Sequence, residues 1–217
     1  MTKHMLFPMG LLLVTCLSAC QGSGIPLIGG DGSGFVMTLS CHRPEIDDLK
    51  ILRSATPDGL QFMSPLRLSC YRSDDPFDPA STLSYSSDNR VLPEWIDFTW
   101  VPYEKGKKYS DAEYRALLKQ PGVTERVYVR QQIPQSVVDK VREARRHQDP
   151  SKLPERNLHV YFIWTVEGIK LTWTEEKTEY DSINSPFSYP VAYGGYLPPS
   201  FKTPEWLIKA IHYPGHE

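Results

Sequence analysis

The chain has 217 residues, of which 40% are hydrophobic and 23% are charged, and its formal net charge is −2. This composition is ordinary for a folded globular protein and excludes a chain that is disordered throughout. Because basic residues are not in excess, the composition gives no sign of a nucleic-acid partner, and none is predicted. The length suits one domain with a substantial hydrophobic core.

The N-terminal residues form a short secretory leader. Lys3 provides a basic start, and residues 5–14 form an apolar run that is too short to cross a bilayer, which takes about 20 apolar residues. The leader ends at residues 17–20, Leu-Ser-Ala-Cys. This tetrapeptide resembles the lipobox of bacterial lipoproteins, in which the leader is removed and the cysteine is acylated. The resemblance implies a signal peptide over residues 1–19 and lipidation of Cys20; an ordinary cleaved signal peptide is the alternative.

The residues after this cysteine predict a lipid-anchored protein on a flexible tether. Two or three acyl chains anchor a protein stably in a membrane, whereas one chain gives only marginal binding. Residues 20–34 are rich in glycine and serine and are typical of a flexible linker. They lack the Gly-Lys-Ser/Thr ending of a phosphate-binding loop. In lipoproteins of enteric bacteria an aspartate after the cysteine commonly signals retention at the inner membrane, so Gln21 implies an anchor in the outer membrane, facing the periplasm.

Two cysteines, Cys41 and Cys70, follow the leader and Cys20. Disulfides form and persist outside the cytoplasm, so these two cysteines are predicted to form one. The bond would close a loop of about 30 residues and contribute roughly 3–4 kcal/mol in the chain-entropy model. A reactive thiol and a metal pair are the alternatives, but neither cysteine belongs to a Cys-x-x-Cys motif.

Strands separated by proline- and glycine-containing turns are predicted in the first half of the folded part. These strands cover residues 35–40, 49–53, 60–63 and 66–71. Residues 73–89 are polar and turn-rich and predict a loop. Residues 95–101 alternate, with Ile96, Phe98 and Trp100 on one face, which predicts a strand with one buried side.

Three helices are predicted in the second half. Ser110 and Glu113 form a capping box for a helix that continues to Leu118. A second helix begins at Pro134 and carries an apolar stripe. The stripe consists of Val137, Val138, Val141 and Ala144. A third helix is predicted after Thr203, which would be its N-cap.

The remaining strands complete the predicted fold. Residues 125–133 predict a strand, and residues 158–166 and 169–174 predict a hairpin joined by a two-residue turn. One face of this hairpin is apolar, and His159 falls on the opposite face. Together the elements predict a single α+β domain over residues 35–217, in which an antiparallel β-sheet packs against two or three short helices.

The sequence carries no recognisable catalytic motif. It contains neither a Gly-x-Ser-x-Gly elbow nor a His-Glu-x-x-His zinc motif. His159 is interpreted as a surface or packed histidine, and Glu175 and Glu176 as ordinary surface carboxylates. We therefore predict that the protein is not an enzyme and uses no cofactor and no metal.

Aromatic residues in the segment 185–201 are the candidates for binding a partner. They are Tyr189, Tyr193, Tyr196 and Phe201, on a backbone that is rich in proline and glycine and is predicted to be a loop. Tyrosine is a favoured anchor of protein interfaces. The alternative, that these rings pack back against the sheet, has equal weight at this point.

The chain over about residues 92–174 resembles a family of uncharacterised proteobacterial lipoproteins. The shared features are Leu-Pro-Glu-Trp-Ile-Asp-Phe-Thr-Trp at residues 92–100, Ile-Pro-Gln-Ser-Val at residues 133–137, and a strand pair with a glycine turn. The resemblance covers less than half of the chain. Lipoproteins of this general sort are sometimes encoded beside toxins of type VI secretion systems, including phospholipases, and serve as immunity proteins in the periplasm.

The resemblance therefore implies a membrane-anchored, non-enzymatic binding protein whose protein partner is an incoming toxin. The alternative is an envelope-assembly or structural lipoprotein with a resident protein partner. An enzyme that acts on lipid or cell wall comes third. A neighbouring gene for a secreted lipase or a spike protein would favour the immunity protein over the envelope-assembly protein.

Overall fold

The computed structural model describes residues 34–203 and Glu205, except 62, 64, 72–74, 78–82, 87–90, 149–151 and 182–184. This part of the chain forms nine strands, two α-helices and a 3-10 helix, which confirms the predicted α+β class. The strands are β1 (Val36–Cys41), β2 (Ile46–Ala55), β3 (Leu66–Ser69), β4 (Leu83–Ser86), β5 (Trp95–Glu104), β6 (Val123–Tyr128), β7 (Arg156–Thr165), β8 (Gly168–Tyr180) and β9 (Pro186–Gly195). The helices are α1 (Asp111–Leu118), the 3-10 helix Arg130–Gln132 and α2 (Gln135–Arg146).

The strands form two sheets, whereas the sequence pattern predicted a single sheet. A five-stranded sheet has the order β4-β1-β7-β8-β9, and a four-stranded sheet has the order β3-β2-β5-β6. Every pairing is antiparallel except β1 with β7, which is parallel and places Val36 beside His159. Apolar residues of both sheets are buried together in one cluster, so the two sheets pack face to face.

A single hydrophobic core fills the space between the sheets. The Phe98 ring of β5 meets the rings of Phe162 and Trp164 of β7 with centroids 5.1 Å apart in both pairs. These are the residues that the period-two alternation predicted for the buried face. The core continues into α2, where Val137, Val138 and Val141 are buried as the apolar stripe predicts.

Helix α1 covers the other face of the four-stranded sheet. Ser110 accepts a hydrogen bond from the backbone N–H of Glu113, and the Glu113 carboxylate accepts one from the N–H of Ser110, which confirms the capping box. Leu117 of this helix packs with Val101 and Tyr103 of β5 in a small second cluster. Within the described residues, no helix has both the length and the apolarity needed to cross a membrane.

Three sequence-based boundaries need correction. The predicted strand 60–63 is reduced to one bridge between Ala55 and Gln61, and the predicted loop 73–89 contains strand β4. The predicted strand 125–133 ends at Tyr128, because the chain then turns through the 3-10 helix to start α2. The predicted third helix falls on residues that, apart from Glu205, lie outside the described part of the chain.

The segment 185–201 was predicted as a loop, but most of it is strand β9. Prolines argued for a loop because they donate no backbone hydrogen bond. They are tolerated in β9 because it is an edge strand and because the pairing shifts register at Glu175 and Glu176, opposite Pro190. The position of this segment at the edge of the sheet therefore outweighed the local preference of its prolines for a loop.

The disulfide between Cys41 and Cys70 is present. Cys41 ends β1 in the five-stranded sheet, and Cys70 follows β3 in the four-stranded sheet. The backbone supports the same junction, since the N–H of Tyr71 donates to the carbonyl of Cys41 at 3.0 Å. The bond therefore links the two sheets covalently.

Candidate binding surface

The structure separates the four aromatic residues that the sequence singled out. Tyr193 lies in β9 and Phe201 follows it, and both rings pack edge-on against Phe77, at 6.3 and 5.8 Å. Tyr196 faces the ammonium group of Lys170 at 5.7 Å. Two of the four rings thus pack against Phe77, whereas Tyr189 and Tyr196 have other neighbours.

The fourth of these residues, Tyr189, lies in the other half of β9. Its ring stacks on that of Phe187 with centroids 6.0 Å apart. Phe187 is 46% exposed. Cys20, the predicted lipidation site, lies outside the described residues, so lipidation stays a prediction.

A group of titratable side chains lies on the outer face of the five-stranded sheet, next to Phe77. His159 Nδ1 is 3.3 Å from Glu176 Oε1, and Tyr161 packs against Phe77 at 5.3 Å. Burial lowers the pKa of His159 to about 4 and raises those of Glu176 to about 7 and Tyr161 to about 12. Burial thus disfavours the charged form of each group. The arrangement is that of a packed polar layer, which agrees with the interpretation of His159 as packed.

Glu175 is a correction to the sequence analysis, which placed it on the surface. It is 1% exposed and forms an ion pair with Arg156 at the start of β7. The next residue in β8, Glu176, is also largely covered. The sequence could not show this burial, because the pairing cation lies on a different strand.

The four-stranded sheet carries an ordered polar-aromatic surface on its outer face, at the end away from α1. We call it the tryptophan–arginine platform; it consists of Trp95, Asp97, Arg126 and Tyr128. The Arg126 guanidinium carbon lies 3.7 Å from the centroid of the Trp95 ring. Its Nε and Nη2 donate to the two carboxylate oxygens of Asp97, both at 2.8 Å. The hydrogen bond from Arg126 lowers the pKa of Asp97, so the carboxylate is ionised at neutral pH.

Strand register creates this platform. Trp95 pairs with Tyr128, and Asp97 pairs with Arg126, directly across β5 and β6. Residues directly opposite each other on one face of an antiparallel pair have closely spaced Cβ atoms, so their side chains touch. The platform is therefore fixed by two strands of a sheet, and its side chains lose little conformational freedom on binding.

The composition of the platform is that of a binding hot spot. Tryptophan, tyrosine and arginine dominate the residues that contribute most to protein–protein binding. Tyr128 is 45% exposed, and Val123 at the other end of β6 is 47% exposed. The alternation of residues 95–101 indicated that Trp95 and Asp97 face away from the core. The missing information was the register of β6, which brings Arg126 over Trp95.

Two clefts lie elsewhere. One, of about 530 Å³, lies between the C-terminal half of α2 and the end of β8; the other, of about 430 Å³, lies beside α1. In the second, Arg67 is held by Asp48 at 2.5 Å and Lys107 by Glu104 at 3.2 Å. Among the described residues, no three histidine, cysteine, aspartate or glutamate side chains are grouped to hold a metal ion.

Comparisons with known proteins give no match, whether the chain is compared with protein-family models, with curated proteins or with solved structures.

Proposed function

We propose that the protein is a lipid-anchored, non-enzymatic binding protein of the bacterial cell envelope, and that the tryptophan–arginine platform binds its protein partner. The observation that carries this proposal is the preformed contact of Arg126 with both Trp95 and Asp97. An arginine held in this way presents an aromatic and a charged surface at a small entropic cost.

The envelope location is supported by two features, one in the N-terminal leader and one in the folded domain. Residues 17–20 resemble a lipobox, and the residues after them are typical of a tether. The disulfide between Cys41 and Cys70 favours an oxidising compartment such as the periplasm. Both features fit a domain held at a membrane surface by an acylated Cys20.

The partner proposed for this surface is a toxin that enters the periplasm, as the resemblance to immunity lipoproteins implies. Neutralisation of a toxin needs only that its active site or its target-binding surface be covered. A rigid platform without catalytic groups is sufficient for that purpose. A resident envelope protein is the alternative partner, and the experiment below separates the two.

The anchor is tested with labelled palmitate in the producing bacterium. The wild-type protein is expected to take up the label, and the Cys20→Ser variant is expected to take up none. Equal labelling of the two proteins, or labelling of neither, would contradict the proposed location.

The platform is tested by chemical crosslinking of the tagged lipoprotein in cells attacked by toxin-armed neighbours of the same strain. Tyr128→Ala is expected to abolish the crosslinked product and to sensitise the cells. Tyr180→Ala, an equally large truncation on β8, is the matched control and should change neither. If a crosslinked product forms equally without attackers, the partner is a resident protein. If Tyr128→Ala behaves like wild type, the platform is not the binding surface.

A further inference from the structure

The outer edge of β6, on the side away from β5, continues directly from the platform. The N–H of Val129 donates to the carbonyl of Glu94 at 2.9 Å, which fixes the hydrogen-bonding phase of β6 against β5. Because hydrogen-bonded and non-hydrogen-bonded pairs alternate, the backbone N–H groups of Thr124, Arg126 and Tyr128 point away from β5. All three residues are exposed. Among the described residues, β6 pairs with β5 alone.

The other long edge strand, β9, is protected by prolines. At one end the N–H of Asp181 donates to the carbonyl of Ser185, which fixes the phase of the first half of β9. By the same alternation, the backbone positions of β9 that face away from β8 are those of Pro186, Ser188 and Pro190. Two of these three outward positions therefore have no N–H to offer to another strand. Proline at such positions is a common device against unwanted strand pairing.

Strand β6 carries no such device. Its sequence, Val-Thr-Glu-Arg-Val-Tyr, contains no proline and no glycine. The strand is also held firmly from its inner side, since the Glu125 carboxylate accepts from Trp100 Nε1 at 3.1 Å and from the N–H of Ile169 at 3.0 Å. The remaining edges, β3 and β4, are only four residues long.

Charge disfavours the two registers of a β6–β6 pair between copies of the chain that are centred on the charged residues of the strand. An antiparallel β6–β6 pair centred on Arg126 places two arginines opposite each other, and one centred on Glu125 places two glutamates opposite each other. Like charges directly across a strand pair are destabilising. By contrast, Arg53 and Arg126 flank the single carboxylate of Asp97, which leaves an excess positive charge on the outer face. An acidic residue on an incoming strand complements this surface.

We propose that the partner binds by adding an extended strand of its own to the β6 edge, with an acidic side chain opposite Arg126. Backbone hydrogen bonds to Thr124 and Arg126 and to the N–H of Tyr128 would fix the strand; the carbonyl of Tyr128 already accepts from Gln132 Nε2 at 2.7 Å. The side chains of the added strand would cover Tyr128 on one face and Val123 on the other. This inference rests on the proposed function and specifies how the platform is used.

The test uses the mature chain with Cys20→Ser, and its probe is a displayed library of random octapeptides. Selection is expected to enrich peptides in which β-branched or aromatic residues alternate and one residue is acidic. An enriched peptide is then synthesised, and its affinity is measured for Thr124→Pro and Thr124→Ala. Both substitutions remove the hydroxyl contact of Thr124 with Thr99, at 2.9 Å, but only proline removes the outward N–H.

Strand addition predicts that Thr124→Pro weakens peptide binding by roughly tenfold or more, while Thr124→Ala changes it by less than about threefold. Urea unfolding of both variants checks that β6 remains folded. Hydrogen exchange of the unsubstituted protein gives an independent readout. Bound peptide should slow exchange at the amides of Arg126 and Tyr128 and leave that of Ser188 unchanged.

Three results would overturn the inference. They are failure to enrich any peptide, equal losses in the two Thr124 variants, and a stable dimer of the chain with the β6 amides already protected. The proposed function is judged separately. If Tyr128→Ala abolishes partner capture in cells and Thr124→Pro does not, the platform binds the partner through side chains alone. If neither variant affects capture, the proposed function fails as well.

Discussion

Reduction of the disulfide between Cys41 and Cys70 is expected to lower the free energy of unfolding by about 3.6 kcal/mol at 25 °C. The two cysteines are 29 residues apart, and the chain-entropy relation for a loop of this size gives that value. A typical domain is stable by about 5–15 kcal/mol, so the loss is a substantial fraction of the total. The native state should stay assembled, because the core that joins the sheets does not depend on the bond.

The measurement is urea unfolding followed by tryptophan fluorescence, with and without reductant. The dependence of the free energy on urea should become steeper after reduction, because the reduced unfolded chain exposes more surface. The double variant Cys41→Ala/Cys70→Ala is the control and should not respond to reductant. A change of less than about 1 kcal/mol in the wild-type protein would show that the loop is already constrained in the unfolded state, and the reasoning would be wrong.

Three further predictions concern single residues. Burial raises the pKa of Glu176 from 4.5 to about 7, so the stability that its neutral form provides is complete below pH 4.5 and is lost as the pH rises to 7. Relative to the wild type, the free energy of unfolding of Glu176→Gln, measured in urea, should therefore rise by about 3 kcal/mol between pH 4.5 and pH 7. A difference that does not change with pH would refute the assignment. Gly122 precedes β6 with φ +71°, and a Cβ atom there would lie 2.8 Å from the Trp100 carbonyl oxygen. Gly122→Ala should therefore lower the free energy of unfolding by about 1–3 kcal/mol. An unchanged free energy of unfolding would contradict the expected backbone strain. Phe98→Ala leaves a cavity between the sheets and should cost about 3–5 kcal/mol in the same assay; a loss below about 1 kcal/mol would mean that the sheets close over the gap.

Local patterns in the sequence predicted those parts of the fold that depend on neighbouring residues. Strict alternation placed Phe98 and Phe162 in the core, and the spacing of Ser110 and Glu113 defined a helix start. The disulfide was predicted from the number of cysteines and from the predicted oxidising compartment. In each case the information lies within a few residues or in the number of cysteines.

Features that depend on pairing between distant strands could not be predicted in this way. Alternation shows that a strand has a buried face but not which sheet it joins, so two sheets were interpreted as one. The burial of Glu175 depends on Arg156 of the preceding strand, and the strand character of Pro190 depends on its place at an edge. The platform was missed for the same reason, since Arg126 reaches Trp95 only through the register of β5 and β6.

The parallel pairing of β1 with β7 has a consequence for how the chain acquires its structure. Strand β1 is synthesised first, yet it sits between β4 and β7, and Val36 must wait for His159 before its sheet is complete. Until then Met37 and Leu39, both fully buried in the folded protein, lack their neighbouring strand β7. Contacts between such distant parts of a chain form slowly. Of the described strands, β1 therefore waits longest for its parallel partner, and its apolar face is open to aggregation during that interval.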